Sequence, residues 1–242
     1  MARRKAKAFT LIELLVVVSI IILLVTILAP AVGQAVRSVR VGICATHLKD
    51  IVRACRQYAM DDLNHRGSVP KSFPLASPQP SSENWWTPEG NRACLWLLVK
   101  HKYATPGLFV CPSLEGVEPA DVNDGKFADG KFGYSFQSMV DLRLTLDNLP
   151  TSRVIVADQS PRFEPFTNTV LPEGLKANSL AHLDADEKPT GQNVGRADES
   201  VKFMKTSKVA TGNNNNDWIY HCKYPAQDAQ GKSINIDDVF LN

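Results

Sequence analysis

The chain begins with a short basic leader and then a long apolar segment. Four basic residues lie among the first eight positions: Arg3, Arg4, Lys5 and Lys7. No charged residue occurs from Leu14 to Val36, and these 23 residues would extend roughly 35 Å as a helix, enough to cross a hydrocarbon core of about 30 Å. A secretory signal peptide has a shorter apolar region and a small-residue cleavage site, whereas two arginines follow this one. The pattern predicts a transmembrane span over residues 9–36, with a cytoplasmic leader and an extracytoplasmic remainder.

Two residues break the apolar pattern of this span. Glu13 is its single acidic residue, and a carboxylate within a spanning helix costs on the order of 2.5–3.5 kcal/mol. Either Glu13 lies at the membrane edge and is solvated, or it needs a partner inside the membrane. Pro30 removes a backbone hydrogen bond and Gly33 follows one turn later, which predicts a kinked or locally melted helix around residues 30–33.

An amphipathic pattern follows the span and predicts that the helix continues over residues 37–63. The apolar positions recur at helical spacing along one face: Cys44, Leu48, Ile51, Cys55, Tyr58 and Leu63. Charged and polar residues occupy the other face. A helix of this length is explained if its first half spans the membrane and its second half packs on a sheet.

The remaining chain predicts a loop, a short helix and several strands. Residues 68–90 form a Pro- and Ser-rich loop, in which Trp85 and Trp86 are either anchors on the core or a binding platform. A helix is predicted over Asn91–Lys100 and a short strand over residues 108–112. Antiparallel strands and an edge strand are predicted over these ranges: 131–135, 153–158, 192–196, 201–204 and 218–220. We therefore predict an α+β class with a globular domain over residues 37–242 and its sheet region within 108–242.

The residues around the leader resemble a known family. The segment Lys7-Ala8-Phe9-Thr10-Leu11-Ile12-Glu13 resembles the class III leader of type IV pilins and of the pseudopilins of type II secretion. The resemblance implies that prepilin peptidase cuts between Ala8 and Phe9, removing the leader 1–8, and that the new amino terminus on Phe9 is methylated. Ala8 departs from the usual Gly.

The same resemblance assigns roles to Glu13 and Pro30. They stand at the fifth and twenty-second mature positions, where the family has its Glu and its helix-breaking Pro. It implies that a monomer in lipid holds Glu13 unpaired, and that in a filament its carboxylate meets the methylated amine of a neighbouring Phe9. An ion pair at low dielectric is worth more than one in water.

The globular part resembles large pilin-like proteins of Planctomycetes-type bacteria. The resemblance rests on these segments: Cys44 to Tyr58, Phe109 to Ser113, Phe132 to Ser135, and Asn178 to Val201. It implies a pilin-like fold with a C-terminal hairpin. Glu199 stands where that hairpin usually has Gly, so a positive φ there would be strained.

Candidate polar and metal-binding groups are few. The cysteines are Cys44, Cys55, Cys94, Cys111 and Cys222. Cys44 and Cys55 are about 16 Å apart along the helix and cannot pair with each other, and the other pairings stay open. No Cys-x2-Cys pair exists, which argues against structural zinc, and no metal or cofactor is expected.

Two further polar groups have alternative interpretations. The acidic loop is a weak Ca²⁺ candidate without EF-hand spacing, and a solvated turn is favoured; its members are Asp121, Asn123, Asp124 and Asp129. His182, Asp158 and Asp198 form a possible acid–base or metal set. No nucleophile motif accompanies them, so we favour a hairpin-fixing role for His182 and Asp198 and do not predict an enzyme.

Charge and pattern together favour a structural protein. The chain has 27 Lys+Arg and 25 Asp+Glu; without the four basic leader residues the balance is 23 − 25 = −2, so no nucleic-acid partner is expected. We expect a subunit of a type IV pilus or a type II secretion pseudopilus. Its expected partners are prepilin peptidase, other pilin subunits and the inner membrane. The alternatives are a membrane-tethered binding module that does not polymerise and, less favoured, a tethered hydrolase that uses His182 and Asp198.

Overall fold

The structure is a computed structural model. The described residues are 10–61, 73–74, 88–128, 130–137, 145–147, 149–159, 178–206, 208–209, 217–218 and 240–241. The chain divides into two compact units, Met1–Val39 and Arg40–Asn242.

The described part of the first unit is Thr10 and the N-terminal part of helix α1, which spans Leu11–Met60. All its large apolar side chains up to Val36 are exposed, and the helix is long and apolar enough to cross a membrane. Pro30 lies inside a helix that stays regular on both sides of it. The expected local melting at residues 30–33 is therefore not seen.

The second unit contains an antiparallel sheet and the C-terminal part of helix α1. Seven strands are described: β1 Tyr134–Gln137, β2 Val154–Asp158, β3 Gln192–Arg196, β4 Val201–Met204, β5 Lys208–Val209, β6 Asp217–Trp218 and β7 Phe240–Leu241. Five of them form one sheet in the order β4-β3-β2-β1-β7, and β5 pairs with β6. All the pairings are antiparallel. The long helix and this sheet confirm the α+β, pilin-like class.

The C-terminal part of α1 packs on the sheet through its apolar face. The buried residues of this face are Cys44, Leu48, Ile51, Val52, Ala54, Cys55, Tyr58 and Ala59. Gly195 on β3 permits the close approach, because a Cβ there would lie 3.3 Å from Val52 Cγ2 and 2.9 Å from Val156 Cγ1. The predicted helix over 37–63 ends at Met60, and residues 62–63 lie outside the described residues.

A second helix and an aromatic cluster cover the other part of the core. Helix α2 spans Pro88–Lys100 and begins three residues before the predicted Asn91. Trp96 packs edge-on against Phe127 at a centroid distance of 4.9 Å, and Phe127 contacts Phe109 at 4.8 Å. These contacts join α2, through Trp96, to the two following segments that contain Phe109 and Phe127.

The predicted strand over residues 108–112 is wrong. Residues Pro106–Phe109 form a 3₁₀ helix, because Pro106 and Gly107 favour a tight turn. The Phe109 ring is then fully buried in the aromatic cluster. By contrast, β3 and β4 coincide with the predicted ranges 192–196 and 201–204, and β1 begins at Tyr134 rather than at Lys131.

Candidate functional site

Helix α1 begins with a capping box formed by Thr10 and Glu13. Glu13 Oε2 accepts hydrogen bonds from the Thr10 backbone N–H at 2.9 Å and from the Thr10 hydroxyl at 2.7 Å. The Thr10 hydroxyl in turn accepts from the Glu13 backbone N–H at 3.3 Å. This reciprocal pattern satisfies donors that a helix N-terminus leaves unpaired, and the helix dipole favours a carboxylate at that end.

The hydrogen bonds of the capping box supply no cation to Glu13, so its expected ionic pairing in a filament stays a prediction. Its carboxylate is hydrogen-bonded within its own chain, although the nearest side chains on the helix are exposed and apolar. Thr10 belongs to the motif quoted above, but its role as a cap was not predicted, although the spacing Thr-x-x-Glu is typical of a capping box. Glu13 is thus a cap residue, and any role in assembly has to be compatible with that.

Pro30 lies in the middle of the exposed apolar part of α1. Because proline has no backbone N–H, the carbonyl of Thr26 loses its usual helical donor. The hydroxyl of Thr26 donates to the Leu23 carbonyl at 2.8 Å, which keeps that side chain satisfied within the helix. The segment stays helical at Pro30, but the helix lacks the backbone hydrogen bond to the Thr26 carbonyl.

A buried polar network joins β2, β3 and the segment before β3. Asp158, at the end of β2, lies with its Oδ2 at 2.9 Å from His182 Nε2. The same oxygen accepts the backbone N–H of Asn193 at 2.5 Å. The Asn193 side-chain amide donates to the carbonyl of Val41 on α1 at 3.2 Å and lies 3.2 Å from His182 Nε2. The network therefore ties the helix, the strand β2 and the first residues of β3 together.

The environment of His182 favours its protonated form. Burial lowers the pKa of the imidazole, but the hydrogen bond and the negative charge of Asp158 outweigh burial, and the pKa of His182 is raised above its usual value. Only 3% of the residue is exposed, so a macromolecular substrate does not reach the ring. This burial disfavours the hydrolase alternative.

Two cysteines lie next to this network. Cys44 on α1 and Cys111, which follows the 3₁₀ helix, are both fully buried, and their Sγ atoms are 2.6 Å apart. The close Cys44 thiol, burial and the Asp158 charge together raise the pKa of Cys111. Tyr134 on β1 is also fully buried, and desolvation and the two cysteines raise its pKa. Every one of these effects opposes a new negative charge at this place.

The two cysteines and the Asp158–His182 pair together form a cluster of metal-ligand type. Their ligand atoms lie within 4.8 Å of one another, and all four residues are buried. The absence of a Cys-x2-Cys pair argued against a structural zinc site, and this cluster was not predicted because its members come from four separate segments. Cys44 and Cys111 were each noticed, but spacing does not reveal which cysteines meet.

Asp198 lies in the β3–β4 turn and serves it locally. Its Oδ1 accepts the backbone N–H of Ser200 at 2.9 Å, and its backbone N–H donates to the Thr151 carbonyl at 3.3 Å. The Ser200 hydrogen bond lowers the pKa of Asp198. Among the described contacts, the partner of His182 is Asp158, so the structure does not bring His182 and Asp198 together as a pair.

The strained position of this turn is Glu199. Its φ is 66°, so Glu199 adopts the left-handed conformation that favours the Gly usually found at this position. The carboxylate contacts Arg56 at 3.4 Å and Arg53 at 3.5 Å, and Arg56 Nη1 donates to the Ala197 carbonyl at 2.7 Å. The turn is therefore attached to helix α1, and these contacts offset part of the backbone strain.

The acidic loop uses its carboxylate internally. Asp121 Oδ1 accepts the backbone N–H and the side-chain amide of Asn123, each at 2.8 Å, and so caps the short 3₁₀ helix Val122–Asp124. Asp129 lies outside the described residues. The calcium assignment for Asp121, Asn123, Asp124 and Asp129 stays a prediction.

Several predicted sites lie outside the described residues. These are Ala8, Phe9, Trp85, Trp86 and Cys222. The cleavage site, the binding platform and the pairing of the fifth cysteine are thus expectations from the sequence.

Comparison with known proteins identifies the N-terminal segment. Residues 3–29 match the family model described as the prokaryotic N-terminal methylation motif. The match covers the basic leader, the capping box and the first part of α1, and it confirms the pilin-like resemblance of that region. No curated protein and no solved structure matches the chain. The resemblance of the globular part to Planctomycetes proteins stays a prediction.

Proposed function

We propose that this chain, a type IV pilin-like precursor by its N-terminal motif, is a structural subunit of a type IV pilus or a type II secretion pseudopilus. Prepilin peptidase cuts between Ala8 and Phe9, and the mature chain is held in the inner membrane by residues 9–36. Assembly with other pilin subunits then buries the apolar surface of α1. The observation that carries this proposal is a methylation motif that leads directly into a helix whose apolar side chains are exposed.

The capping box is compatible with an ion pair between subunits. A carboxylate has two oxygens and about four acceptor sites, and the Thr10 donors use Oε2 alone. Glu13 can therefore cap its own helix and, at the same time, form an ion pair with the methylated amine of Phe9 from a neighbouring subunit. Hydrogen bonds do not remove the negative charge, so the charge still favours a cation in a low-dielectric bundle.

Pro30 gives the membrane part of α1 a place to adapt during assembly. Its missing hydrogen bond lowers the cost of opening the helix between Thr26 and Pro30. A helix that changes from a lipid to a protein environment can then adjust its register there. The four basic residues of the leader favour a cytoplasmic N-terminus. The globular unit then lies on the extracytoplasmic side.

Mass spectrometry of the full chain tests the processing step. The protein is expressed in a host with active prepilin peptidase and extracted from membranes with detergent. We expect loss of residues 1–8 and one added methyl group on Phe9. An Ala8→Gly variant, which has the usual residue, should be processed at least as fully, and an Ala8→Val variant should retain its leader.

Two results would contradict the proposal. One is an intact leader in both the parent chain and Ala8→Gly while a known pilin in the same cells is cut. The other is correct processing with no cross-linked oligomers through the apolar part of α1, which would favour the tethered binding module.

A further inference from the structure

Cys44 and Cys111 are both free thiols in the structure, but their separation is closer to that of a disulfide than to that of a zinc site. Their sulfurs are 2.6 Å apart. A disulfide has a sulfur–sulfur distance of about 2.05 Å, and two thiolates on one tetrahedral zinc lie about 3.8 Å apart, since each zinc–sulfur bond is about 2.3 Å. The observed separation is much nearer to the covalent value. The two residues are 67 positions apart, so the tertiary fold and not local spacing creates the contact.

We infer that Cys44 and Cys111 form a structural disulfide that cross-links helix α1 to the segment after the 3₁₀ helix. The inference rests on the proposed export of the globular unit, because disulfides persist in oxidising extracytoplasmic compartments and are rare in the cytosol. It assigns a covalent modification to two residues that the methylation motif does not include.

The neighbouring polar groups support a disulfide over a metal. Zinc binding needs both cysteines as thiolates, and Asp158 and burial make a negative charge at Cys111 unfavourable. The candidate nitrogen ligand, His182 Nε2, already contacts Asp158 Oδ2 at 2.9 Å and the amide of Asn193 at 3.2 Å. A disulfide carries no charge and leaves the Asp158–His182 pair intact.

The chemistry requires an external disulfide as the oxidant. One cysteine thiolate attacks the disulfide of a thiol–disulfide oxidoreductase or of oxidised glutathione and forms a mixed disulfide, and one thiol leaves. The second cysteine then attacks its partner's sulfur in the mixed disulfide and displaces the other thiol. Cys44 and Cys111 lose two electrons and two protons in total, and the oxidant gains them as two thiols.

The burial of both sulfurs sets the order of events. Cys44 and Cys111 are fully buried, and the raised pKa of Cys111 disfavours its thiolate in the folded state. Oxidation therefore occurs before the core closes, while the domain folds after export. Once formed, the cross-link keeps the C-terminal part of α1 attached to the segment that follows Pro106–Phe109 when the helix bears load in a filament.

The sequence permits a direct test, because trypsin places each cysteine in a separate peptide. Cleavage after Lys and Arg gives residues 41–49 for Cys44, 103–126 for Cys111, 54–56 for Cys55, 93–100 for Cys94 and 209–223 for Cys222. The full chain is extracted from membranes, its free thiols are blocked with N-ethylmaleimide in denaturant, and the non-reduced digest is examined by mass spectrometry. We expect peptide 41–49 linked to peptide 103–126, and we expect dithiothreitol to separate them.

Matched variants show whether the link is specific. Cys44→Ala and Cys111→Ala should each abolish the linked pair and leave the remaining partner blocked by N-ethylmaleimide. Cys55→Ala removes another buried cysteine from the same helix face and should retain it. Reduction of the parent chain should lower its Tm by about 5–15 °C, as expected for a disulfide in a unit of this size, and should not change the Tm of Cys44→Ala.

Two controls separate this inference from the proposed function. Protease digestion of spheroplasts reports which side of the membrane the domain occupies. If the domain is extracytoplasmic and both cysteines are blocked by N-ethylmaleimide, the disulfide is refuted and the pilin-like role stands. If the domain is cytoplasmic, the proposed export fails and the disulfide fails with it.

Refolding in vitro tests the pairing without reference to the cell. The full chain is reduced, unfolded and refolded in detergent with a mixture of reduced and oxidised glutathione, and the Cys44–Cys111 link should dominate over every other pair. Random pairing would overturn the inference. So would retention of about one zinc per chain by the untreated protein with loss of that zinc in Cys44→Ala and in Cys111→Ala.

Discussion

At the residue scale, Glu13 and Glu199 both occupy positions that a local rule disfavours. Glu13 lies in an apolar helix segment, and the Thr10 donors and the helix N-terminus make it tolerable there. Glu199 has a positive φ, and its ion pairs with Arg53 and Arg56 hold the turn against α1. In each case a polar contact offsets a local cost, and the contact identifies what the residue does.

Variants of the capping box separate the charge of Glu13 from its hydrogen bonds. Glu13→Gln retains an acceptor for the cap but has no charge, and Thr10→Ala removes the capping hydroxyl but retains the charge and the backbone N–H that donates to it. We expect both variants to insert into the membrane. Filament assembly, measured by sedimentation and negative-stain microscopy, should fall at least tenfold in Glu13→Gln and change little in Thr10→Ala.

The opposite pattern would show that capping and not charge supports assembly. Normal filaments from Glu13→Gln would exclude the ion pair with a neighbouring Phe9. Leader cleavage in each variant serves as the control for correct targeting.

The raised pKa of His182 predicts how stability depends on pH. Because the folded pKa lies above the unfolded value of about 6.5, the stabilisation is fully present below about pH 6.5 and is lost as the pH rises through the folded pKa. Denaturant unfolding of the full chain in detergent, from about pH 6 to about pH 9, should show a falling free energy of unfolding.

A matched histidine variant tests the origin of that slope. His182→Gln should flatten the pH dependence and lower the free energy of unfolding by about 3–5 kcal/mol at low pH, because it removes the positive charge that contacts buried Asp158. His101→Gln lies outside the network and should retain the slope. An unchanged slope in His182→Gln would assign the pH dependence to other groups.

At the element scale, the packing of helix α1 on strand β3 depends on a missing side chain. Gly195 faces Val52 of the helix and Val156 of the neighbouring strand, so it sets how closely the helix approaches the sheet. The hairpin from β3 to β4 is then attached at its turn by Arg56 and at its start by the Asp158–Asn193 hydrogen bond. The helix and the hairpin are positioned by contacts at both ends of the strand.

Substitution of two glycines measures this close approach. Gly195→Ala places a Cβ 2.9 Å from Val156 Cγ1 and should lower the free energy of unfolding by about 1–3 kcal/mol. Gly42 lies in helix α1, and a Cβ there has nothing within 4 Å. Gly42→Ala should therefore raise the free energy of unfolding by about 0.5–1 kcal/mol, because alanine favours the helix. Urea unfolding monitored by circular dichroism gives both values, and equal effects of the two variants would contradict the packing argument.

At the scale of the whole molecule, charge is distributed unevenly along the chain. The leader carries four basic residues, whereas the rest has 23 positive and 25 negative side chains, a net charge of −2. Within residues 10–39, the first unit exposes its large apolar side chains, and the second unit has its own core. A basic, membrane-bound start and a nearly neutral domain agree with membrane anchoring through the N-terminus.

The leader charges should determine the orientation of the chain. Replacing Arg3, Arg4, Lys5 and Lys7 by Gln should reduce the fraction with an extracytoplasmic domain, because basic residues are retained on the cytoplasmic side. Replacing Arg37 and Arg40 by Gln should leave that fraction unchanged or raise it. Protease digestion of spheroplasts measures the fraction, and indifference to the leader charges would contradict the proposed topology.

The sequence by itself determined the N-terminal features of this protein. The basic leader, the Thr-x-x-Glu cap and the apolar span are local patterns within about 30 residues, and their meaning depends on the solvent and the membrane more than on distant contacts. The hairpin strands were also predictable, because a strand–turn–strand pattern is local. The segment 108–112 was not, since its apolar run fits a strand, whereas Pro106 and Gly107 begin a 3₁₀ helix and Phe109 is buried in the aromatic cluster.

Only the tertiary structure decided which distant side chains meet. Cys44 contacts Cys111 across 67 positions, and the carboxylate that contacts His182 belongs to Asp158 and not to Asp198. These contacts depend on how the helix packs on the sheet and on the register of the strands, and a slip of one residue would turn every side chain of a strand to the other face. Spacing along the chain carries no record of that register, so the buried cluster became visible only in the fold.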